Sequence, residues 1–241
     1  MFKILLYNPL YNILIFIVNL IPGADIGLAI VILTILVKLA ILPIYTKSIR
    51  TQIKMKEIEP KLKEIKKKYQ KDLPEQSRLI MEVYKENKIN PFSSFFVLLI
   101  QMPIILTLFY VFRGSLVVRP DIIYSFVSIP KELSFNFFGL FDVSQAHNFL
   151  MAFLTGFTQF LQVQLTMPKV VKNSFEKTSV SFQNDFAKSM DIQIRYVMPL
   201  IIAVVAWQLP AAISLYWITS NLFHLFFGLK IKKEKGLKHE I

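Results

Sequence analysis

No cysteine occurs in the 241 residues, which removes disulfides, thiolate metal sites, cysteine nucleophiles and a cysteine-borne lipid anchor. Histidine is nearly as scarce: His147, His224 and His239 are far apart in sequence and show no metal-ligand spacing. The seven glycines build no phosphate-cradling loop, and G-x-x-x-x-G-K followed by Ser or Thr is not found. No nucleotide engine, metal or other cofactor is therefore expected. Acids are few, 16 against 28 Lys plus Arg.

What the chain does have is oil and positive charge. It is 54% hydrophobic with 22 Phe and a mean hydropathy of +0.49, yet its formal charge is +12. Soluble domains are ~45–50% apolar by a similar count. The apolar residues fall in long windows nearly free of charge, the mark of bilayer-spanning helices. Ile26 to Ile44 has Lys38 as its sole charge, and Phe92 to Phe112 and Phe149 to Met167 have none. Tyr196 to Leu229 is uncharged for long enough to hold two spans, split near Gln208-Leu209-Pro210.

A hydrocarbon core of ~30 Å needs roughly 20 helical residues. The expectation is an all-α membrane protein forming one domain over residues 1–241, with five transmembrane helices at 24–46, 91–113, 148–168, 196–209 and 210–229. Between them lie a cytoplasmic helical hairpin at 47–90, an extracytoplasmic loop at 114–147, a cytoplasmic loop at 169–195 and a basic tail at 230–241. A short amphipathic helix around Phe182 and Phe186 has no readable role.

Residues 1–23 admit two readings. Lys3 before an apolar run, with Ala24 near a plausible cleavage point, suits a signal peptide or an additional span. Asn8, Asn12 and Asn19, four and seven apart on one helical face, with Pro9 limiting where a helix begins, suit an N-terminal interfacial helix better.

Basic residues set the orientation. Lys47 to Asn90 holds thirteen Lys or Arg against seven acids, and Lys169 to Arg195 and the tail after Leu229 hold five basic residues each. Gly114 to Asn148 has just Arg119 and Lys131. The positive-inside rule puts the three basic segments in the cytoplasm, the amino terminus outside and the carboxyl terminus inside a plasma membrane. The same charge could hold anionic headgroups or ribosomal RNA.

The basic segment at 47–90 is patterned. Ile58, Leu62, Ile65 and Tyr69 form one apolar stripe, and Leu79, Ile80, Val83 and Tyr84 a second. Asp72, Pro74 and Glu75 between them break the chain and start a helix. Two antiparallel helices would cover each other's seams, whether as a spacer or as a docking platform.

Polar residues also form stripes inside the spans. Thr34 and Lys38 share a face of the first. Thr155, Thr158, Gln159, Gln162 and Thr166 follow one another along the third, and Ser214, Trp217, Asn221 and His224 along the fifth. The second contributes Gln101 and Thr107. Such residues can be interhelical glue worth ~1–2 kcal/mol each. Lys38 is harder to dismiss, because an ammonium at depth costs at least ~2.5–3.5 kcal/mol unless it reaches water or a partner, and no Asp or Glu occurs in the second to fifth spans. Either Lys38 snorkels toward the inner surface, or the stripes of spans one, three and five, helped by Gln101, enclose a wet recess whose charge is Lys38.

The stretches "NPFSSFFVLLIQMPIILTLFYVFR", Asn90 to Arg113, and "MPLIIAVVAWQLPAAISLYWITSNL", Met198 to Leu222, resemble the two most recognisable segments of the YidC/Oxa/Alb insertase family. The order of features matches too: a charged first span ending in "LP", a basic hairpin, "NP" and "LLIQMP", a span ending near Met167-Pro168, then "LP" and "LYWI". The resemblance implies a membrane protein insertase with a hydrophilic groove open to cytosol and lipid, closed on the outer side, and making or breaking no bond. Groove charge is commonly arginine in the family, at the position of Lys38 here. Lysine departs from that pattern, being a compact ammonium where arginine is a bidentate fork.

In that picture the groove is lined by Thr34, Gln101, Thr155, Thr158, Gln159, Gln162, Ser214, Trp217 and Asn221, while Met102, Pro103, Met198, Pro199 and Tyr216 contact the entering chain. Tyr216 and Trp217 would serve equally as interface anchors. Partners implied are nascent membrane proteins and lipid, with the ribosome and a Sec translocon as further candidates and a monomer as the expected state. Two other classes stand beside it. An ion channel or small-solute transporter could use the same polar stripe, though no inverted repeat is visible. An intramembrane hydrolase would have to rest on Ser220 and His224, a spacing chance readily supplies.

Overall fold

In the computed structural model of the chain, the described residues are 3–90, 99, 101–107, 109–110, 120–167 and 189–234. Much of the expected second span, the Phe182 and Phe186 helix and the end of the basic tail lie outside them. The helices are α1 (Asn8–Leu20), α2 (Ile26–Glu57), α3 (Glu59–Lys68) and α4 (Leu73–Glu86). Residues 101–107 and 109–110 are helical and are termed α5. Then follow α6 (Phe149–Thr166), α7 (Ser189–Gln208) and α8 (Ala211–Glu234). The strands described are β1 (Asn136–Phe137) and β2 (Phe141–Asp142), a small antiparallel hairpin.

The protein is an all-α membrane protein. Among the described residues, α2, α7 and α8 are long and apolar enough to cross a bilayer. On α7 the side chains of Leu200, Ile201, Val204 and Val205 are exposed, a contiguous apolar surface that water would penalise and lipid accepts.

Two compact units divide the chain: Met1–Ala40 with Met102–Phe226, and Ile41–Gln101 with Phe227–Ile241. In the first, α6 packs against α7 at close range. A β carbon on Gly156 would fall 2.8 Å from that of Ala203 and 3.1 Å from the Pro199 carbonyl oxygen. Just before that contact, α7 carries a π turn at Gln193–Val197, where the Met198 N–H bonds the Gln193 carbonyl. A second π turn, Lys3–Tyr7, precedes α1. Both sit one residue before an X-Pro pair, Asn8-Pro9 and Met198-Pro199. A proline offers no N–H to the carbonyl four residues back and its ring crowds it, so a wider turn relieves both.

Residues 120–148 fold across one end of this first unit. Asp25 caps α2, its Oδ1 accepting from the Leu28 N–H at 3.0 Å, while Oδ2 accepts from the Phe138 N–H at 2.9 Å. The same turn pairs with Ser134, whose carbonyl accepts from Ile26 and whose N–H donates to Ala24. At the turn between α7 and α8, Ala211 and Ala212 donate to the carbonyls of Gln145 and Val143, and His147 donates to that of Trp207.

The asparagine face of α1 turns toward this segment. Asn12 is buried, donating to the Ile122 carbonyl at 2.8 Å and accepting from the Tyr124 N–H at 2.7 Å. Asn19 donates to the Ser128 carbonyl at 2.6 Å. Ile4, Ile13, Phe16 and Leu20 are left exposed. Asn12 and Asn19 thus serve the backbone of an irregular loop, whose N–H and C=O groups need partners, while Tyr11, Leu14, Ile15 and Val18 are buried.

In the second unit, α2 continues through Pro43 to Glu57, well past residue 46. Tyr45, Ile49 and Ile53 follow one helical face and bury together with Ile231 of α8, with Leu42 and Phe227 packed against them. Helices α3 and α4 form a hairpin. Asp72 caps α4 by accepting from the Glu75 N–H at 3.1 Å. Gln76 donates to the Lys66 and Tyr69 carbonyls, and Lys61 pairs with Glu86 across the hairpin at 3.2 Å. Ile65, Tyr69, Leu79 and Val83 from the two sequence stripes line one cleft of about 320 Å3.

Candidate functional site: a buried cation between helices

The first unit brings parts of three sequence stripes together. Lys38 on α2 is only 3% exposed. Its Nζ lies 3.3 Å from His224 Nε2 on α8 and 5.9 Å from the centre of the Tyr216 ring. With Lys38 as an ammonium, which has donors and no acceptor, the contact would be a hydrogen bond into the Nε2 lone pair, with the imidazole proton on Nδ1. Two cations at that separation would repel by about 5 kcal/mol even at an effective dielectric of about 20. The pair therefore carries at most one positive charge. Tyr216 presents its ring at a distance suited to a cation–π attraction.

One turn before Lys38, Thr34 is buried and its hydroxyl donates to the Ile30 carbonyl at 2.6 Å. Three residues before His224, Asn221 is buried and its amide donates to the Thr158 hydroxyl of α6 at 3.2 Å. The face of α8 that carries Asn221 and His224 thus meets α6 with the first and α2 with the second.

The remaining stripe of α6 is satisfied largely along its own helix. Thr155 and Thr158 donate to the Met151 and Leu154 carbonyls, both at 2.8 Å. Gln159 lies 3.5 Å from Gln162, and Gln162 donates to Thr166 at 3.0 Å. Hydroxyls returned to the backbone in this way add no unmet polarity to an apolar helix. Ser214 is buried and its Oγ finds no hydrogen-bond partner among the described residues. Trp217 is half-buried. Gln101 is half-buried and belongs to the second unit. Thr107 is fully buried, its hydroxyl donating to the Pro103 carbonyl.

The five residues expected at the entering chain are split by exposure. Met102 and Met198 are 52% and 40% exposed, and Pro103 is half-buried. Pro199 is buried against α6, and Tyr216, 1% exposed, turns its ring to Lys38.

Sequence reasoning passed over a second buried cation. Arg195, read as the last residue of a loop, lies inside α7 and is buried. Its Nε donates to Asp191 at 2.8 Å and its Nη1 to Gln164 of α6 at 3.4 Å. The i,i+4 spacing of Asp191 and Arg195 was the available signal.

A helical chain with apolar spans and a lysine buried against a histidine between two of its helices is a multi-pass membrane protein. The family described as 60Kd inner membrane protein matches residues 16–238, and the chain belongs to that family. Among curated relatives, a protein of Oceanobacillus iheyensis named membrane protein insertase YidC is 34% identical over 212 residues, covering 86% of this chain and 74% of its own. The proteins of the same name in Fusobacterium nucleatum and Clostridium tetani are 30% and 31% identical, covering 90% and 88% of this chain and 92% and 84% of their own.

Proposed function

We infer that this chain is a membrane protein insertase: it passes the polar flank of an entering membrane segment along the helices around Lys38 and releases the apolar segment into lipid. The observation that carries this reading is the near-complete burial of Lys38 among α2 and α8, in a chain whose relatives are named insertases. Lys38 attracts acidic groups of the flank, and Thr34, Thr155, Thr158, Gln159, Gln162, Ser214, Trp217 and Asn221 offer it hydroxyls and amides in place of water. The hydrocarbon path a polar group must cross is shortened there, which lowers its barrier. The apolar segment then partitions beside Met102, Pro103, Met198 and the exposed face of α7, Pro199 and Tyr216 backing that surface from within. Burial at about 25 cal/mol per Å2 supplies the driving force. No bond is made or broken, and no cofactor takes part.

Five spans with the amino terminus outside and the carboxyl terminus in the cytoplasm of a bacterial plasma membrane fit the basic segments and the apolar windows. That orientation puts residues 120–148 outside and the α3–α4 hairpin in the cytoplasm, where nascent chains arrive. Photo-crosslinking tests the reading. Probes at Thr158, Gln162, Trp217 and Met198 should capture a stalled nascent membrane protein, with polar flank residues joined to the first three and apolar ones to Met198. Crosslinks confined to lipid would overturn it.

A further inference from the structure

Lys38 has a long flexible stem and a charge that gains by reaching the surface, yet its Nζ sits 3.3 Å from an imidazole nitrogen on another helix. His224 is 186 residues away in sequence and lies on the α8 face whose Asn221, three residues earlier, binds Thr158 of α6. That second contact fixes the rotation of α8 against α6 and so the direction in which the imidazole points. We propose that His224 is the positioning residue of the buried cation: its Nε2 accepts a hydrogen bond from the Lys38 ammonium and holds the charge against α8, so that an acidic flank meets a cation fixed in place.

The argument rests on the reading that Lys38 draws acidic flanks inward, and adds what keeps it there. An ammonium aimed by an acceptor has paid its ordering entropy before the flank arrives, which is how a preorganised group gains over a floppy one. A neutral imidazole suits the task better than a carboxylate would, since Asp or Glu at position 224 would cancel the charge that the entering flank must feel. The interaction needs one tautomer, with the proton on Nδ1.

The test uses full-length protein in vesicles and two single-span substrates that differ in carrying two Asp or two Asn in the translocated flank. Lys38→Ala should slow insertion of the acidic substrate about tenfold and His224→Leu severalfold, a scale set by one hydrogen bond to a charged group. The neutral substrate should lose less than the acidic one in both, and a thermal midpoint near that of the wild type shows that each variant is folded. His224→Gln, whose carboxamide oxygen can accept in place of Nε2, should recover most of the loss, and the Lys38→Ala/His224→Leu pair should be no worse than Lys38→Ala. Nitrogen NMR of the wild-type protein in the same vesicles should show the His224 ring protonated on Nδ1.

A His224→Leu protein that handles the acidic substrate normally while Lys38→Ala fails would overturn the proposal and leave the role of Lys38 standing. Equal losses on both substrates without rescue by His224→Gln, or a ring protonated on Nε2, would also overturn it. Normal insertion by Lys38→Ala would remove the reading beneath it.

Discussion

Gly156 of α6 stands where any β carbon would come within 2.8 Å of the Ala203 β carbon on α7 and 3.1 Å of the Pro199 backbone oxygen. A carbonyl cannot move aside as a side-chain tip can. Gly156→Ala should therefore destabilise by ~1–3 kcal/mol, the usual cost of overpacking, and Gly156→Leu by more. Thermal unfolding in detergent, followed by the emission of Trp207 on α7, should show a lower midpoint for both, ordered by side-chain size. Equal stability of the three proteins would mean that the two helices do not approach this closely in the membrane.

Asn12 tethers the segment at Ile122–Tyr124 through both halves of its carboxamide. Asn12→Leu removes a donor and an acceptor from a buried site and leaves the Ile122 carbonyl and the Tyr124 N–H without this partner, at ~1–3 kcal/mol for each group. The Tyr124 amide should exchange faster in that variant, by about tenfold or more. Asn12→Asp keeps an acceptor for Tyr124 and loses the donor to Ile122, so the Tyr124 amide should stay close to its wild-type protection.

Substitution of Lys38 separates charge from shape. Insertion of small single-span or double-span substrates should fall with Lys38→Ala, fall further with Lys38→Glu, and survive Lys38→Arg, which keeps the charge and can still donate to His224 Nε2. Reconstituted vesicles with radiolabelled substrate and external protease read the outcome. Full insertion by Lys38→Glu would deny any role to positive charge.

On the hairpin, Arg78 grips Glu75 with two nitrogens, at 2.7 and 2.8 Å, and holds the Glu75 carboxyl below its usual range. A carboxyl depressed in the folded state stabilises that state above its unfolded pKa of about 4.3 and loses the contribution as pH falls through the lower folded value. Both side chains face water, so the effect is local to the first turn of α4. Exchange protection of that turn should decline below about pH 4 in the wild type, and Glu75→Gln should lack this acid-dependent step while starting from lower protection.

Much of this architecture is written in local pattern. The apolar windows over α2, α6, α7 and α8, the stripes at Ile65, Tyr69, Leu79 and Val83, and the Asp72 and Pro74 helix start all depend on residues within a turn or two of one another. Lys38, Thr34, Thr158 and Asn221 could be named as candidates for the same reason. The role of His224 could not, because a histidine in an apolar helix has the same local signature whether it faces lipid, a neighbour or a lysine. Arg195 was hidden by its position beside a window boundary. The asparagines of α1 were visible as a face, but a polar face alone does not tell whether it looks to water or to a loop.

From its residues alone, this chain is bound to form apolar helices and to hold one lysine within its first apolar helix, because hydropathy and helical period are properties of short stretches. Tertiary structure alone decided that Lys38 meets His224, that Asn12 meets Ile122 and Tyr124, and that Gly156 lets α6 lie against α7. Those partners are separated by tens to nearly two hundred residues, and such pairs are selected by how whole helices rotate and pack, a choice to which no local period is sensitive.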